Sequence, residues 1–172
     1  MRILGIDPGY AIVGFGALEA DGSSLSALRH GAITTQAHAP FEDRLLEVYT
    51  DLCTLMKEIS PNALAVESLF YTTNQKTAIA VAEARGVILL AARQAEVPIF
   101  EYTPLQVKQS VAGFGRASKK QMQEMTRRLL NLAEIPRPDD AADALALAIC
   151  HAHSFNSRYS RAKTKREQMG YY

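Results

Sequence analysis

The sequence lacks any apolar run close to the roughly 18 residues that a membrane-spanning helix requires. Its first residues, MRILGIDPG, also lack the long apolar stretch of a secretory signal. Both absences predict a cytoplasmic protein without a membrane partner. Cysteine is scarce, since only Cys53 and Cys150 occur, each within an apolar helical pattern. Because disulfides are rare in the cytosol, we expect two buried free thiols.

Internal repeats and low-complexity segments are missing as well. The 172 residues are enough for one compact domain with a substantial core. Apolar periodicity extends to about residue 154 and is absent beyond it. We therefore predict one folded domain over residues 1–154 and a basic, flexible tail over residues 155–172.

An excess of one charge sign is absent overall, because the net charge is only +1. The basic residues are nevertheless unevenly distributed. Between residues 103 and 130 a single acid, Glu124, accompanies six basic residues, which are Lys108, Arg116, Lys119, Lys120, Arg127 and Arg128. Five more basic residues against one acid follow His151. This asymmetry favours an anionic partner, although a solvated charged face and a basic tail would give the same counts.

Hydrophobic periodicity predicts three strands, a helix, a strand, a helix, a strand and then further helices. The predicted strands cover residues 2–7, 12–18, 25–35, 63–67 and 97–102. The predicted helices cover residues 41–59 and 77–95, two segments that open at Thr103-Pro104 and at Ser118, and residues 139–152. Glycines in the second strand would allow close approach of another backbone.

This element order predicts an α/β fold built on a five-stranded mixed sheet. The first three strands form an antiparallel meander, and right-handed crossovers add parallel strands on the other side. Helices cover both faces of such a sheet. Functional sites in these folds form at the carboxyl ends of neighbouring strands, which directs attention to the residues that end them.

Acidic residues occur at those places. Asp7 ends the first strand and Glu67 ends the fourth, so parallel pairing of the two strands would bring both carboxylates to one edge. Asp143, near the start of the last helix, shares a helix face with either Asp139 or Asp140. Spacing alone leaves the choice between Asp139 and Asp140 open.

Each acid also has a structural explanation. Asp7 precedes Pro-Gly and would suit a turn, Glu67 would suit a surface strand end, and Asp139 or Asp140 would suit a helix N-cap. Asp143 in the first helical turn would favour the helix dipole. The functional interpretation therefore depends on convergence of the acids and not on any single one.

A converged cluster of carboxylates requires a cation, protonation or water. Two unit charges about 4 Å apart repel by roughly 4 kcal/mol at an effective dielectric constant of about 20. Oxygen-only ligation favours Mg²⁺ or Mn²⁺ over Zn²⁺. Two such ions suit phosphodiester hydrolysis, in which one activates water and the other stabilises the leaving oxygen.

Six short motifs carry a resemblance to a known family. In chain order they are G-I-D-P-G from residue 5, A-V-E-S-L-F from 65, E-A-R-G-V from 83, F-E-Y from 100, Q-V-K-Q from 106 and D-A-A-D-A-L-A from 140. The first alone is weak, because actin-like ATPases and kinases use a similar loop. The ordered set, from residue 3 to about 153, resembles the RuvC family of bacterial Holliday-junction resolvases.

The resemblance implies a ribonuclease-H-like fold, a homodimer, and paired symmetric nicks across a four-way DNA junction in recombination and repair. It implies Mg²⁺ as cofactor, two ions per active site, with Mn²⁺ as a substitute, and a branch-migration motor complex as partner. The family's catalytic and metal-binding acids correspond to Asp7, Glu67, Asp140 and Asp143. Its D-A-A-D motif thus favours Asp140 over Asp139.

The resemblance also implies DNA contacts. The aromatic residue that stacks on a base near the crossover corresponds to Phe70, and the basic DNA contacts correspond to Lys108 and Lys119. Arg116 and Lys120 in the same basic segment are further candidates. Without the resemblance, a core phenylalanine and a solvated helix face would explain these residues equally well.

Three other functions share parts of the pattern. They are a nuclease of the same fold that processes ribosomal RNA precursors, an ATPase or sugar kinase, and a branched-DNA-binding module without activity. The chain is too short for the duplicated domains of the kinase class. The alanine-rich helix over residues 77–95 has a wide apolar face and is our candidate dimer surface.

Overall fold

A computed structural model describes residues 1–68 and 75–156, so Phe70 and nearly all of the basic tail lie outside the described residues. The described strands are β1 Arg2–Asp7, β2 Ile12–Asp21, β3 Ser24–Thr34, β4 Ala63–Glu67 and β5 Ile99–Tyr102. The described helices are α1 Phe41–Ile59, α2 Gln75–Gln94, α3 Pro104–Ala112, α4 Lys119–Leu129 and α5 Asp139–Asn156.

The five strands form one mixed sheet in the order β3-β2-β1-β4-β5. β2 pairs antiparallel with both β1 and β3, whereas β4 pairs parallel with both β1 and β5. The predicted meander and parallel crossovers are therefore confirmed. Ile6 lies level with Val66, so the next residues, Asp7 and Glu67, end neighbouring strands side by side.

Helices cover both faces of the sheet, as predicted. One hydrophobic cluster joins alternate residues of the central strands, such as Leu4 and Val66, to α1 and α2. The second cluster joins the opposite face, including Ile3 and Ala65, to α3, α4 and α5. The strictly alternating side-chain directions of β1 and β4 produce this division, because successive residues of a strand point to opposite faces.

Some element boundaries differ from the sequence prediction for local reasons. β5 begins at Ile99 and not at Val97, because the Val97 amide bonds to the Ala92 carbonyl at the end of α2 and Pro98 has no amide hydrogen. α4 ends at Leu129, since Asn131 has a positive φ, and α5 continues to Asn156.

The two cysteines are free thiols, as predicted, but only one is fully buried. Cys150 lies within α5, and Cys53 is half-buried at the rim of a groove between α1 and the end of α2. None of the helices described between residues 1 and 156 is long and apolar enough to cross a membrane.

Candidate active site

Asp7 and Glu67 stand together at the carboxyl edge of the sheet. Each follows a run of buried strand residues, and each is itself only partly exposed. The parallel pairing of β1 with β4 places them there, because parallel strands end at the same edge. The predicted meeting of the two strand ends is thus confirmed.

Helix α5 brings further acids to this edge, and it does so by lying unusually close to the sheet. A Cβ atom on Gly14 would overlap the carbonyl oxygen of Asp140, and one on Gly5 would overlap that of Ala144. Only glycine leaves room for this approach. The N-terminal turn of α5 is therefore pressed against β1 and β2, with Asp143 facing the strand ends.

Asp7 is the most strongly perturbed carboxyl of the group. Burial, followed by the charges of Asp143, Glu67 and Asp140, raises the pKa of Asp7 to about 7, and only Lys119 opposes the shift. Burial and the charge of Asp143 likewise raise the pKa of Glu67. Burial is also the main cause that raises the pKa of Asp143. The charges of Asp143, Glu67 and Asp140 all act on Asp7, which shows that the four acids lie near one another.

The structure separates Asp139 from Asp140, which spacing did not. Asp139 is exposed and its carboxylate lies 3.1 Å from Lys119 Nζ. This hydrogen bond to Lys119 is the main cause that lowers the pKa of Asp139. The charge of Asp140 raises the pKa of both Asp7 and Asp143. The charge of Asp139 raises the pKa of Asp143 but is not among the causes that shift Asp7.

Two of the basic candidates lie beside the acids. Lys119 Nζ lies 3.6 Å from Asp143 Oδ2, and the charge of Lys108 lowers the pKa of Glu67. Together with Asp7, Glu67 and Asp143 they line a cavity of about 250 Å³. The capping boxes at Thr103 and Ser118 fix the helices that carry them, since each satisfies the first free amides of its helix. The cavity thus combines acidic side chains with a cationic rim formed by Lys108 and Lys119.

Comparisons with known proteins identify the family of this chain. A family sequence model described as "Crossover junction endodeoxyribonuclease RuvC" matches residues 3–151. The chain belongs to the RuvC family. A RuvC relative from Desulfitobacterium hafniense is 56% identical over 156 residues, which cover 91% of this chain and 94% of the relative. As a member of the family, the chain is a crossover junction endodeoxyribonuclease, a hydrolase of phosphodiester bonds.

Solved structures agree with the RuvC assignment. T. thermophilus RuvC in complex with a Holliday junction substrate aligns with a TM-score of 0.86 and 36% identity, covering 91% of this chain and 95% of that one. The yeast mitochondrial Holliday junction resolvase Ydc2 aligns with a TM-score of 0.64 at 15% identity, covering 88% of this chain and 77% of that one, which supports the fold alone. The ribonuclease-H-like fold is therefore confirmed.

RuvC-family nucleases depend on a divalent metal, and the chemistry of the donors here suits one. All the acidic side chains of the cluster offer carboxylate oxygens, which hard cations prefer. Across residues 1–68 and 75–156, however, no three Asp, Glu, His or Cys side chains are arranged to hold one ion. Lys119 instead occupies the space beside Asp143.

The remaining basic candidates are not brought into the cavity. Lys120 lines a separate groove between α3 and α4 beside the exposed Phe114, and Arg116 is exposed on the preceding loop. Arg127 and Arg128 pair with Glu124 at 2.9 and 2.7 Å, so their charges are partly neutralised. Arg116 and Lys120 of this RuvC segment are therefore exposed near the N-terminus of α4, whereas the charges near its C-terminus are shared with Glu124.

Sequence reasoning missed two charged residues that lie close to Glu67. The buried Arg85 bonds to the Glu67 carbonyl oxygen and pairs with the partly exposed Glu101, yet both appeared only as letters within the E-A-R-G-V and F-E-Y motifs. The available signal was charge among apolar neighbours, in an alanine-rich helix and in a short strand. Neither residue type at those positions is explained by periodicity.

Gly14 provides a direct test of how the RuvC acids are positioned. We expect Gly14→Ala to lower the free energy of unfolding by roughly 1–3 kcal/mol, because the added methyl group must displace α5. It should also reduce junction cleavage at least about tenfold, because small misplacement of catalytic groups is costly. Urea denaturation and a single-turnover cleavage assay measure the two effects.

The matched control for this substitution is Gly22→Ala. Gly22 has a positive φ but open space around its Cβ position, so alanine there costs roughly 1–2 kcal/mol through backbone strain alone. Cleavage should then be unchanged once the protein is folded. Equal cleavage by both variants would mean that the contact between Gly14 and Asp140 does not position the acids.

Proposed function

We propose that the chain resolves four-way DNA junctions by paired symmetric nicks, in homologous recombination and DNA repair. The observation that carries the proposal is the convergence of Asp7, Glu67 and Asp143 at one sheet edge, beside Lys108 and Lys119. A carboxylate cluster with a cationic rim suits a phosphodiester, whose oxygens need both metal and hydrogen-bond donors. T. thermophilus RuvC, described in complex with a Holliday junction substrate, supports the choice of DNA.

The proposed metal ligands and catalytic residues are Asp7, Glu67, Asp140 and Asp143. Bound there, two Mg²⁺ ions, or Mn²⁺ in their place, would supply an activated water and neutralise charge on the leaving oxygen. The protein contributes by holding Asp7 and Glu67 on rigid strand ends and Asp143 on a packed helix. The pKa of Asp7, raised to about 7, means that cation binding near neutral pH would displace a proton from this carboxyl.

Lys108 and Lys119 are proposed to bind phosphates of the cut strand. Lys119 lies between Asp139 and Asp143, so it could turn from the acids to a phosphate without moving its helix. Arg116 lies on the loop before α4 and Lys120 in its first turn, and both are exposed. They are proposed to bind a DNA arm that passes the N-terminus of α4. Phe70, outside the described residues, is proposed to stack on a base, as the family resemblance implies.

A labelled four-way junction tests the proposal. With Mg²⁺, the protein should release two nicked duplexes, with nicks at symmetric positions, and chelation of the metal should stop the reaction. Cleavage of ribosomal RNA precursors with intact junctions would favour the rival nuclease. Tight junction binding with Mg²⁺ but without nicks would favour a binding module, and ATP turnover would revive the kinase class.

Lys119→Ala should weaken junction binding and flatten its salt dependence. Each phosphate contact that is lost reduces the slope of log affinity against log salt by about 0.9. Binding of a fluorescent junction in Ca²⁺, titrated from about 50 to 200 mM salt, would give the slopes for the parent and for Lys119→Ala. Lys57→Ala, which removes an exposed lysine from the last turn of α1, is the matched control. Parallel slopes for all three proteins would exclude Lys119 as a phosphate contact.

The protein is proposed to act as a homodimer through α2. Two apolar residues of α2, Ile79 and Leu90, are 69% and 54% exposed. They are eleven positions apart, which is about three helical turns, so they lie on the same face of the helix. Symmetric nicks also require two active sites. A branch-migration motor complex is the proposed further partner, and the cytoplasm the proposed location.

Leu90→Lys should convert the dimer to a monomer, because a charge at the centre of an apolar interface is left without a partner. Light scattering across a concentration series measures the change. Leu28→Lys, which places the same charge at an exposed leucine of β3, should leave the dimer intact. A Leu90→Lys protein that remains dimeric would exclude this face.

A further inference from the structure

Arg85 on α2 is a charged side chain that is almost completely enclosed. The residue is only 7% exposed, and its Nε donates a hydrogen bond to the main-chain carbonyl oxygen of Glu67 at 3.3 Å. Its Nη2 lies 2.9 Å from Glu101 Oε2, as an ion pair without hydrogen-bond alignment. Arg85 therefore connects α2 to the ends of both β4 and β5.

Stability alone does not account for such a pair. Removing two charges from water is costly, and replacing a buried ion pair by apolar side chains is often neutral or stabilising. The location of the pair is informative instead. Arg85 contacts two residues of the sheet, which are Glu67 at the end of β4 and Glu101 on the adjacent strand β5. Glu67 also lines the cavity that contains Asp7 and Asp143.

The hydrogen bond holds the backbone of Glu67 and leaves its carboxylate free. The Ser68 amide adds a second restraint, because it donates to the Tyr102 carbonyl at 2.9 Å and extends the β4–β5 pairing beyond Glu67. Residue 67 is thus fixed from α2 on one side and from β5 on the other. The ion pair with Glu101 on β5 restricts where the Arg85 guanidinium can lie.

We propose that Arg85 and Glu101 are positioning residues that set the orientation in which Glu67 meets the divalent ion. The proposal rests on the proposed metal role of Glu67. Arg85 acts through the Glu67 main chain and makes no contact with DNA or metal itself. Partners that orient metal ligands in this way typically contribute about 10–100-fold to metal affinity or activity.

Arg85→Met and Glu101→Gln test the proposal. Both should raise, by about tenfold or more, the Mn²⁺ concentration that half-saturates the DNA-free protein, measured by electron paramagnetic resonance. The Mg²⁺ concentration for half-maximal junction cleavage should rise in parallel, with junction affinity in Ca²⁺ unchanged. Arg85→Lys should be intermediate, because an ammonium group lacks the planar fork that reaches both partners. Glu101→Gln preserves shape and covers the case in which Arg85→Met does not fold.

Tyr102→Phe is the matched control, since it removes a buried hydrogen bond from the opposite face of β5. The Tyr102 hydroxyl lies 2.8 Å from His151 Nδ1, so the variant should lose thermal stability but keep the parent's Mn²⁺ affinity. If the Arg85 and Glu101 variants behave like Tyr102→Phe, the pair is merely structural and the inference is overturned. Glu67→Gln distinguishes failure of the positioning role from failure of the metal role of Glu67. If this variant binds Mn²⁺ as the parent does, the metal role of Glu67 is excluded as well.

Discussion

Asp140→Asn is expected to reduce junction cleavage at least about 1,000-fold, whereas Asp139→Asn should remain within about threefold of the parent. Asp140 is a proposed metal ligand whose charge acts on the half-buried Asp7, so its removal takes a ligand from the proposed site. Asp139 is exposed and bonds to Lys119, and exposed ion pairs of this kind contribute only about 0–1 kcal/mol. Single-turnover cleavage at saturating Mg²⁺ is the measurement.

The two substitutions are matched because they make the same chemical change in adjacent residues. Junction binding in Ca²⁺ should be retained by both variants, which separates loss of chemistry from loss of DNA. Equal cleavage by the two variants would contradict the assignment of Asp140. A greater loss in Asp139→Asn would assign the role to Asp139 instead. Asp7→Asn should behave like Asp140→Asn, because it removes the carboxylate at the centre of the cluster.

Asp7→Asn is also expected to stabilise the protein in the presence of a chelator. Burial and three neighbouring carboxylates raise the pKa of Asp7 from 3.8 to about 7 in the folded state. Unfolding releases this carboxyl to ionise at its ordinary pKa, so the metal-free parent loses stability as pH rises from about 4 to about 7. Above that range the loss is constant, at up to about 4 kcal/mol.

Thermal unfolding of parent and variant in EDTA, from pH 4.5 to 8, measures this difference. Asparagine does not titrate, so the advantage of Asp7→Asn should increase with pH and correspond to roughly 10 °C in Tm at pH 8. Added Mg²⁺ should stabilise the parent and not the variant, because a bound cation removes the repulsion. An advantage that does not change with pH would contradict the electrostatic explanation.

Much of the fold could be predicted from the sequence because its determinants are local. Alternating apolar residues, the two capping boxes and the order of the elements are sufficient for a mixed sheet with helices on both faces. Boundaries such as the start of β5 could not be predicted, because the Val97 amide bonds back to the Ala92 carbonyl at the end of α2 instead of pairing in the sheet. The acids could be predicted from their positions at strand ends and at a helix start.

The sequence by itself determined the element order, the candidate acids Asp7, Glu67 and Asp143, and, through its motifs, the family and the preference for Asp140. Only the tertiary structure showed that Asp139 faces Lys119, that glycines press α5 against the sheet, and that Arg85 holds the end of β4. Hydrophobic periodicity indicates on which face of its own helix or strand a residue lies. Which charges meet across elements depends on packing distances of a few ångströms, and these arise only when α2, α5 and the sheet come together.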